Sequence, residues 1–297
     1  MAVETQPEAR VPAAPPGAEP RRPAGPRPRR ATWVYLMLAV ALLLTVVPFL
    51  WMLLGSFKPE PELQQVPPTW WPQTPTLQNY SELFDRLNFP QFFGNSVLVA
   101  VAVTAGNLVF CSMVGYALAK LDFAGKRLLF GLVLGMLMVP GVVTFVPLFV
   151  LVSNLGMVNT YPGLILPFLV TPLGVFLMRQ FISGLPDELI EAARIDGAGE
   201  WTIFARVIMP LCGPALATLG ILTFLSSWNN FLWPLVVAQS EDKYTLPVAL
   251  ALYSIGQNAT NYTLLLAGSV VVIVPVIVLF VALQRYFVQG IATTGIK

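Results

Sequence analysis

Glu191-Ala192-Ala193-Arg194-Ile195-Asp196-Gly197-Ala198 is the stretch on which the reading of this chain turns. It is polar, yet it lies between two long apolar runs, 162–177 and 211–237, that carry no charged residue. The loop between those runs, about 180–210, gathers Asp187, Glu188, Glu191, Arg194, Asp196, Glu200 and Arg206, so it belongs in water. Among these charges it keeps Leu189, Ile190, Ala193 and Ile195. Pro186 suits the first position of a helix, and Asp187 and Glu188 place negative charge at the positive end of its dipole. Gly197 is placed to end that helix, because glycine reaches the left-handed conformation without steric cost. Glu200 to Ile208 reads as a second short helix, stopped by Pro210. A helix–glycine–helix hairpin of mixed surface, too short to cross a bilayer, is suited to docking another protein.

The rest of the chain supplies the membrane. Of its 297 residues 56% are hydrophobic and 11% charged, with a mean hydropathy of +0.71. A globular chain carries about 25% charged residues, so this one is built for a bilayer. Six apolar segments are long enough to cross ~30 Å of hydrocarbon as helices: roughly 32–54, 97–118, 128–152, 162–177, 211–237 and 264–283. Residues 1–30, rich in proline, alanine and arginine, bury too little surface to offset the entropy of ordering and read as a disordered head. Residues 31–297 form the membrane domain. With the amino terminus inside, fourteen lysines and arginines fall on inner segments and three (Lys58, Arg86, Lys243) on outer loops. That bias sets both termini and the 180–210 loop in the cytoplasm.

Prolines at 48, 140, 147, 172 and 275 interrupt the spans, and Met138-Val139-Pro140-Gly141 through Pro147 predicts a bend near mid-membrane. The outer loop 58–93, with Pro67, Pro68, Trp70, Trp71 and Pro72, suits a segment lying at the membrane interface. In the fifth span Thr223, Ser226, Ser227, Trp228, Asn229, Asn230, Trp233 and Pro234 form the densest polar cluster. Amides, hydroxyls and aromatic faces are the chemistry that holds sugars, so Thr223, Ser227, Trp228, Asn229, Asn230 and Trp233 are candidates for a substrate pathway. The same amides also suit hydrogen bonds between helices, and the sequence leaves both readings open.

Glu191-Ala192-Ala193, three residues, Gly197, nine residues, then Val207-Ile208-Met209-Pro210 resembles the EAA loop of ABC-importer permeases. Pro186, Leu189, Asp196 and Phe204 resemble the sugar-importer branch, specifically the second permease of maltose-type systems. The resemblance implies an all-α, six-helix, type I permease-like bundle in the cell (inner) membrane. It implies as partners a second homologous permease, two ATP-binding subunits and an extracytoplasmic solute-binding protein. By the same resemblance, Leu189, Glu191, Ala192, Ala193, Ile195, Asp196, Gly197 and Ala198 form the coupling surface toward the ATP-binding subunit.

Several function classes fall away on composition. There is no histidine, which excludes a histidine-ligated metal or a histidine-activated nucleophile in this chain. Cys111 and Cys212 lie in apolar runs and read as small buried hydrophobes. Ala124-Gly125-Lys126 lacks the first glycine and the hydroxyl residue of a phosphate-binding loop; if transport is ATP-driven, as the resemblance implies, ATP and magnesium belong to a partner ATPase, and no cofactor is expected in this chain. Membrane lipid is an expected neighbour and nucleic acid is not. The alternative function, an ion-coupled secondary transporter of a small polar solute, meets an obstacle. No acidic or basic residue lies well inside a predicted span, where such carriers keep their relays.

Overall fold

The structure, a computed structural model, describes residues 32–86, 88–254 and 261–294; the head 1–30 lies outside them. Among the described residues every regular element is helical, as the apolar runs require where no water is present to satisfy an open strand edge. By packing, the chain divides at Pro48 into residues 1–48 and 49–297. The described part of the first is the opening two-thirds of α1 (Thr32–Gly55), whose side chains from Trp33 to Pro48 are exposed except for Val34. A helix apolar all round its circumference is one that hydrocarbon can accept.

In the second unit, α2 (Glu60–Leu63) and α3 (Gln78–Arg86) belong to the loop that follows α1. The long helix α4 (Phe89–Lys120) includes a π turn at Asn107–Cys111. It starts at Phe89, earlier than the expected 97, with Pro90 in its first turn where a missing N–H removes no helical bond. Then come α5 (Lys126–Met138) and α6 (Gly141–Asn154), bent by 106°, and α7 (Tyr161–Phe168) and α8 (Pro172–Ser183), bent by 40°. The hairpin follows as α9 (Glu188–Ile195) and α10 (Glu200–Leu211), with α10 meeting α11 (Gly213–Trp228) at 80°. Short helices α12 (Leu232–Val237) and α13 (Leu246–Ser254) lead to the closing α14 (Tyr262–Thr294).

Three helices are long and apolar enough to span alone, and three bent pairs bring the total to six only if each pair is one span. The expected bend in the third segment is real and falls at Val139–Pro140, whereas Pro147 sits inside α6. Pro172 opens α8 instead of kinking a helix, with the Thr171 hydroxyl accepting the Gly174 N–H at the cap. Two hairpin details also differ from expectation. Pro186 precedes the helix and its N-cap Asp187, and Pro210 lies within α10 instead of stopping it. The π turn Ile203–Ile208 just before Pro210 widens the ladder that a proline ring otherwise clashes with.

A polar knot holds the broken helices together. Asn107, fully buried in α4, donates to the Phe168 carbonyl at 2.6 Å and accepts from the Thr171 hydroxyl at 2.7 Å. It thereby satisfies backbone freed where α7 gives way to α8, which a bilayer otherwise penalises. Gly115 of α4 permits close approach to α8: a Cβ there would come within 2.8 Å of the Met178 Cβ and 2.9 Å of the Arg179 nitrogen.

Candidate functional site

The hairpin begins with its turn. Gly197 has φ +80°, the left-handed value that only glycine adopts freely. The Ala198 N–H bonds the Ala193 carbonyl at 2.9 Å and the Gly197 N–H bonds the Arg194 carbonyl at 3.0 Å. These two bonds are the signature of a Schellman cap, which accounts for orphan carbonyls at the end of α9. Ala193 and Ala198 are half-buried against the core. Leu189, Glu191, Ala192, Ile195, Asp196 and Gly197 are exposed, and Ile195 retains 86% of its surface. The eight coupling candidates thus lie together on one small knuckle, with an aliphatic tip and carboxylates beside it.

What holds the knuckle was only partly visible in the sequence. Ile190, Ile203 and Ile208 are buried in one apolar cluster with Cys111, Tyr116, Val175, Met178, Cys212 and Leu219, so the hairpin shares its core with α4, α8 and α11. Polar clamps sit at its rim. The Glu200 carboxylate accepts the Tyr116 hydroxyl at 2.7 Å and the Arg194 guanidinium at 2.8 and 3.0 Å. The Tyr116 bond, then the Arg194 bond and charge, hold the Glu200 carboxyl below the usual carboxylate range. Lys120, at the end of α4, donates to the Leu185 carbonyl and to Asp187, both at 2.6 Å. Tyr116 and Lys120 are 65 or more positions from their partners, and nothing local in the sequence announces either clamp.

The fifth-span cluster divides. Thr223, Ser227, Asn230 and Trp233 line an open cavity of about 230 Å³ between α4, α7, α8, α11 and α12, joined by Thr171 and Ser226. The Ser226 and Ser227 hydroxyls have no hydrogen-bond partner among the described residues. Trp233 is buried, its indole N–H given to the Gly163 carbonyl at 3.1 Å and its ring set edge-on to Phe145 and Phe168. The Asn230 side-chain oxygen accepts the Trp233 N–H at 3.4 Å. Trp228 and Asn229 lie elsewhere. Trp228 is buried against Phe93 and Phe224 and donates to the Val272 carbonyl at 3.0 Å, which ties α11 to α14. Asn229 opens onto a separate groove beside Pro247, Ser269 and Val272. The cavity walls are otherwise apolar, with Val99, Val103, Leu164 and Leu219 among them.

Helices long and apolar enough to span a membrane, packed around a hydroxyl-bearing cavity with a hairpin sharing their core, are the frame of a membrane-embedded transport protein. The chain belongs to the family described as binding-protein-dependent transport system inner membrane component, whose model matches residues 111–293. It is 46% identical over 257 residues to the arabinooligosaccharides transport system permease protein AraQ of Halalkalibacterium halodurans, covering 86% of this chain and 92% of that one. It is 36% identical over 248 residues to the diacetylchitobiose uptake system permease protein NgcG of Streptomyces coelicolor, covering 82% and 81%. The crystal structure of a bacterial ABC transporter that imports the acidic polysaccharide alginate has a chain of the same fold, with a TM-score of 0.79 at 24% identity, over 86% of this chain and 95% of that one.

Proposed function

We propose that this chain is one of two homologous permease subunits of an ATP-driven importer of oligosaccharides, working with two ATP-binding subunits and an extracytoplasmic solute-binding protein. The observation that carries the proposal is the hairpin: an exposed aliphatic knuckle on Leu189 and Ile195, capped at Gly197 and sharing its core with three spans. An ATP-binding subunit that holds this knuckle can pass its own closure into the bundle as a rigid-body shift. ATP and magnesium stay on that subunit, and this chain makes and breaks no bonds itself. Both termini and the hairpin face the cytoplasm, in keeping with the lysine and arginine bias.

The companion permease has support in the α5–α6 bend. Among the described residues the backbone bonds at this break run from Val139 N–H to Met136 and from Val143 N–H to Pro140. Carbonyls left over at membrane depth need protein or a water-filled cavity beside them, because lipid cannot satisfy them. Met138 and Val142, flanking the break, are exposed on this chain, a face that a second bundle would cover. The solute would pass along Thr223, Ser226, Ser227 and Asn230, whose hydroxyl and amide groups fit sugar hydroxyls. The assay is uptake of a labelled arabinose or chitobiose oligomer by vesicles holding the assembled complex, energised by ATP alone or by an ion gradient alone. ATP-dependent uptake is expected; uptake driven by the gradient without ATP overturns the proposal and favours an ion-coupled carrier.

A further inference from the structure

The loop that follows α1 is far better built than a connection needs to be. Lys58 and Glu62 are buried in it. The Lys58 ammonium donates to the Thr69 carbonyl and, at 3.0 Å, to the Thr69 hydroxyl, and lies 5.0 Å from the centre of the Trp51 ring. The Glu62 carboxylate accepts the Gln73 N–H at 2.8 Å, the Thr69 hydroxyl at 3.1 Å and the Thr74 N–H at 3.4 Å. The Asn79 amide closes the base with bonds of 2.8 Å to the Ser56 and Lys58 carbonyls. Glu60 turns the other way and accepts the Thr263 N–H at 2.9 Å and the Tyr262 N–H at 3.3 Å, in the first turn of α14.

Two consequences follow. The charged side chains between Lys58 and Leu77 are all engaged within the protein, so what the loop shows outward is uncharged: Gln64, Gln65, Val66, Trp70, Trp71 and several prolines. Its depth is also fixed, because Glu60 pins it to the point where the spanning helix α14 begins, and Trp70 packs edge-on to Trp51 at 5.1 Å. Trp71 keeps 73% of its surface exposed and Val66 94%. An uncharged surface with exposed indoles, held at the level of a helix end, matches the headgroup layer of a bilayer, where tryptophan is enriched. A docking face for a soluble protein would be expected to retain charge at its rim.

We propose that residues 64–75 form a rigid lipid-facing anchor that seats Trp70 and Trp71 in the headgroup layer, on the side of the membrane opposite the hairpin, and holds the first turn of α14 at that depth through Glu60. The occupant of this surface is phospholipid, irrespective of the solute transported. The test places a nitroxide at Trp71→Cys, and separately at Gln73→Cys, in the assembled complex within nanodiscs of phosphatidylcholine and phosphatidylglycerol. Cys111 and Cys212 are buried and do not compete for the label. At position 71, collisions with dissolved oxygen are expected to exceed those with a water-soluble nickel chelate, and an added solute-binding protein should change neither. At position 73 the balance should shift toward the chelate while remaining below that of a label in free water. Free-water chelate collisions at both positions overturn the anchor. So does a fall in chelate access on adding the binding protein, which assigns the surface to that protein instead.

Discussion

Replacing Gly197 isolates the backbone from everything else in the hairpin. The residue has φ +80°, and a Cβ built on it meets nothing within 4 Å. Gly197→Ala therefore introduces no clash, and its cost is the left-handed penalty alone, about 1–2 kcal/mol. That is roughly a 5–30-fold shift in the local folding equilibrium. Gly197→Asn should cost less, since asparagine tolerates this region better. Gly197→Pro is of another order: it forces φ to about −65° and deletes the N–H that bonds the Arg194 carbonyl, about 3 kcal/mol or more. Hydrogen exchange at the Ala198 amide, which closes the cap, should accelerate in the order Gly, Asn, Ala, Pro. ATP-driven uptake should fall in the same order while the protein remains in the membrane. Equal exchange and uptake for Ala and Pro would refute the argument, because the two differ by the very bond and angle on which it rests.

Titration tests the Glu200 clamp. A carboxyl held below its ordinary range in the fold stabilises at pH above its unfolded pKa and loses that contribution as pH falls through the folded value. Hairpin protection should therefore be full above the ordinary carboxylate range, begin to fall as pH enters that range and be lost once pH passes below the depressed folded value, and Glu200→Gln should flatten the profile, as read by hydrogen exchange against pH. Asn107→Leu should strand the Phe168 carbonyl and the Thr171 hydroxyl, lowering stability by about 1–3 kcal/mol in thermal unfolding. Gly115→Ala should cost about 1–3 kcal/mol by the same measurement, since the Met178 Cβ and Arg179 backbone that its methyl would strike cannot swing aside.

What the sequence made legible were the features that local chemistry determines. Gly197 is one: a single residue type answers to a single dihedral sign, and the structure has it there. The all-helical class is another, because apolar runs in lipid have few alternatives. Span ends and breaks were harder to read. Pro140, Pro147, Pro172 and Pro210 are identical as residues, yet one breaks a helix, one sits within it, one opens it and one follows a π turn. Their neighbours in space decide which. The polar cluster of the fifth span shows the same limit. Ser227 and Trp228 are adjacent in sequence and so point apart on a helix, one toward the cavity and one toward α14. Asn107, Tyr116 and Lys120 each find partners some 60 or more positions away, so their roles appear only once the chain is folded.

Ile190, Ile203 and Ile208 give the knuckle roots in the same packed interior as α4, α8 and α11. Close-packed interiors yield little under load, so a push on Ile195 is not absorbed where it lands. In the proposed importer such a lever would have almost no play: travel imposed on its tip would reappear, within the slack of a few van der Waals contacts, as travel of the spans themselves.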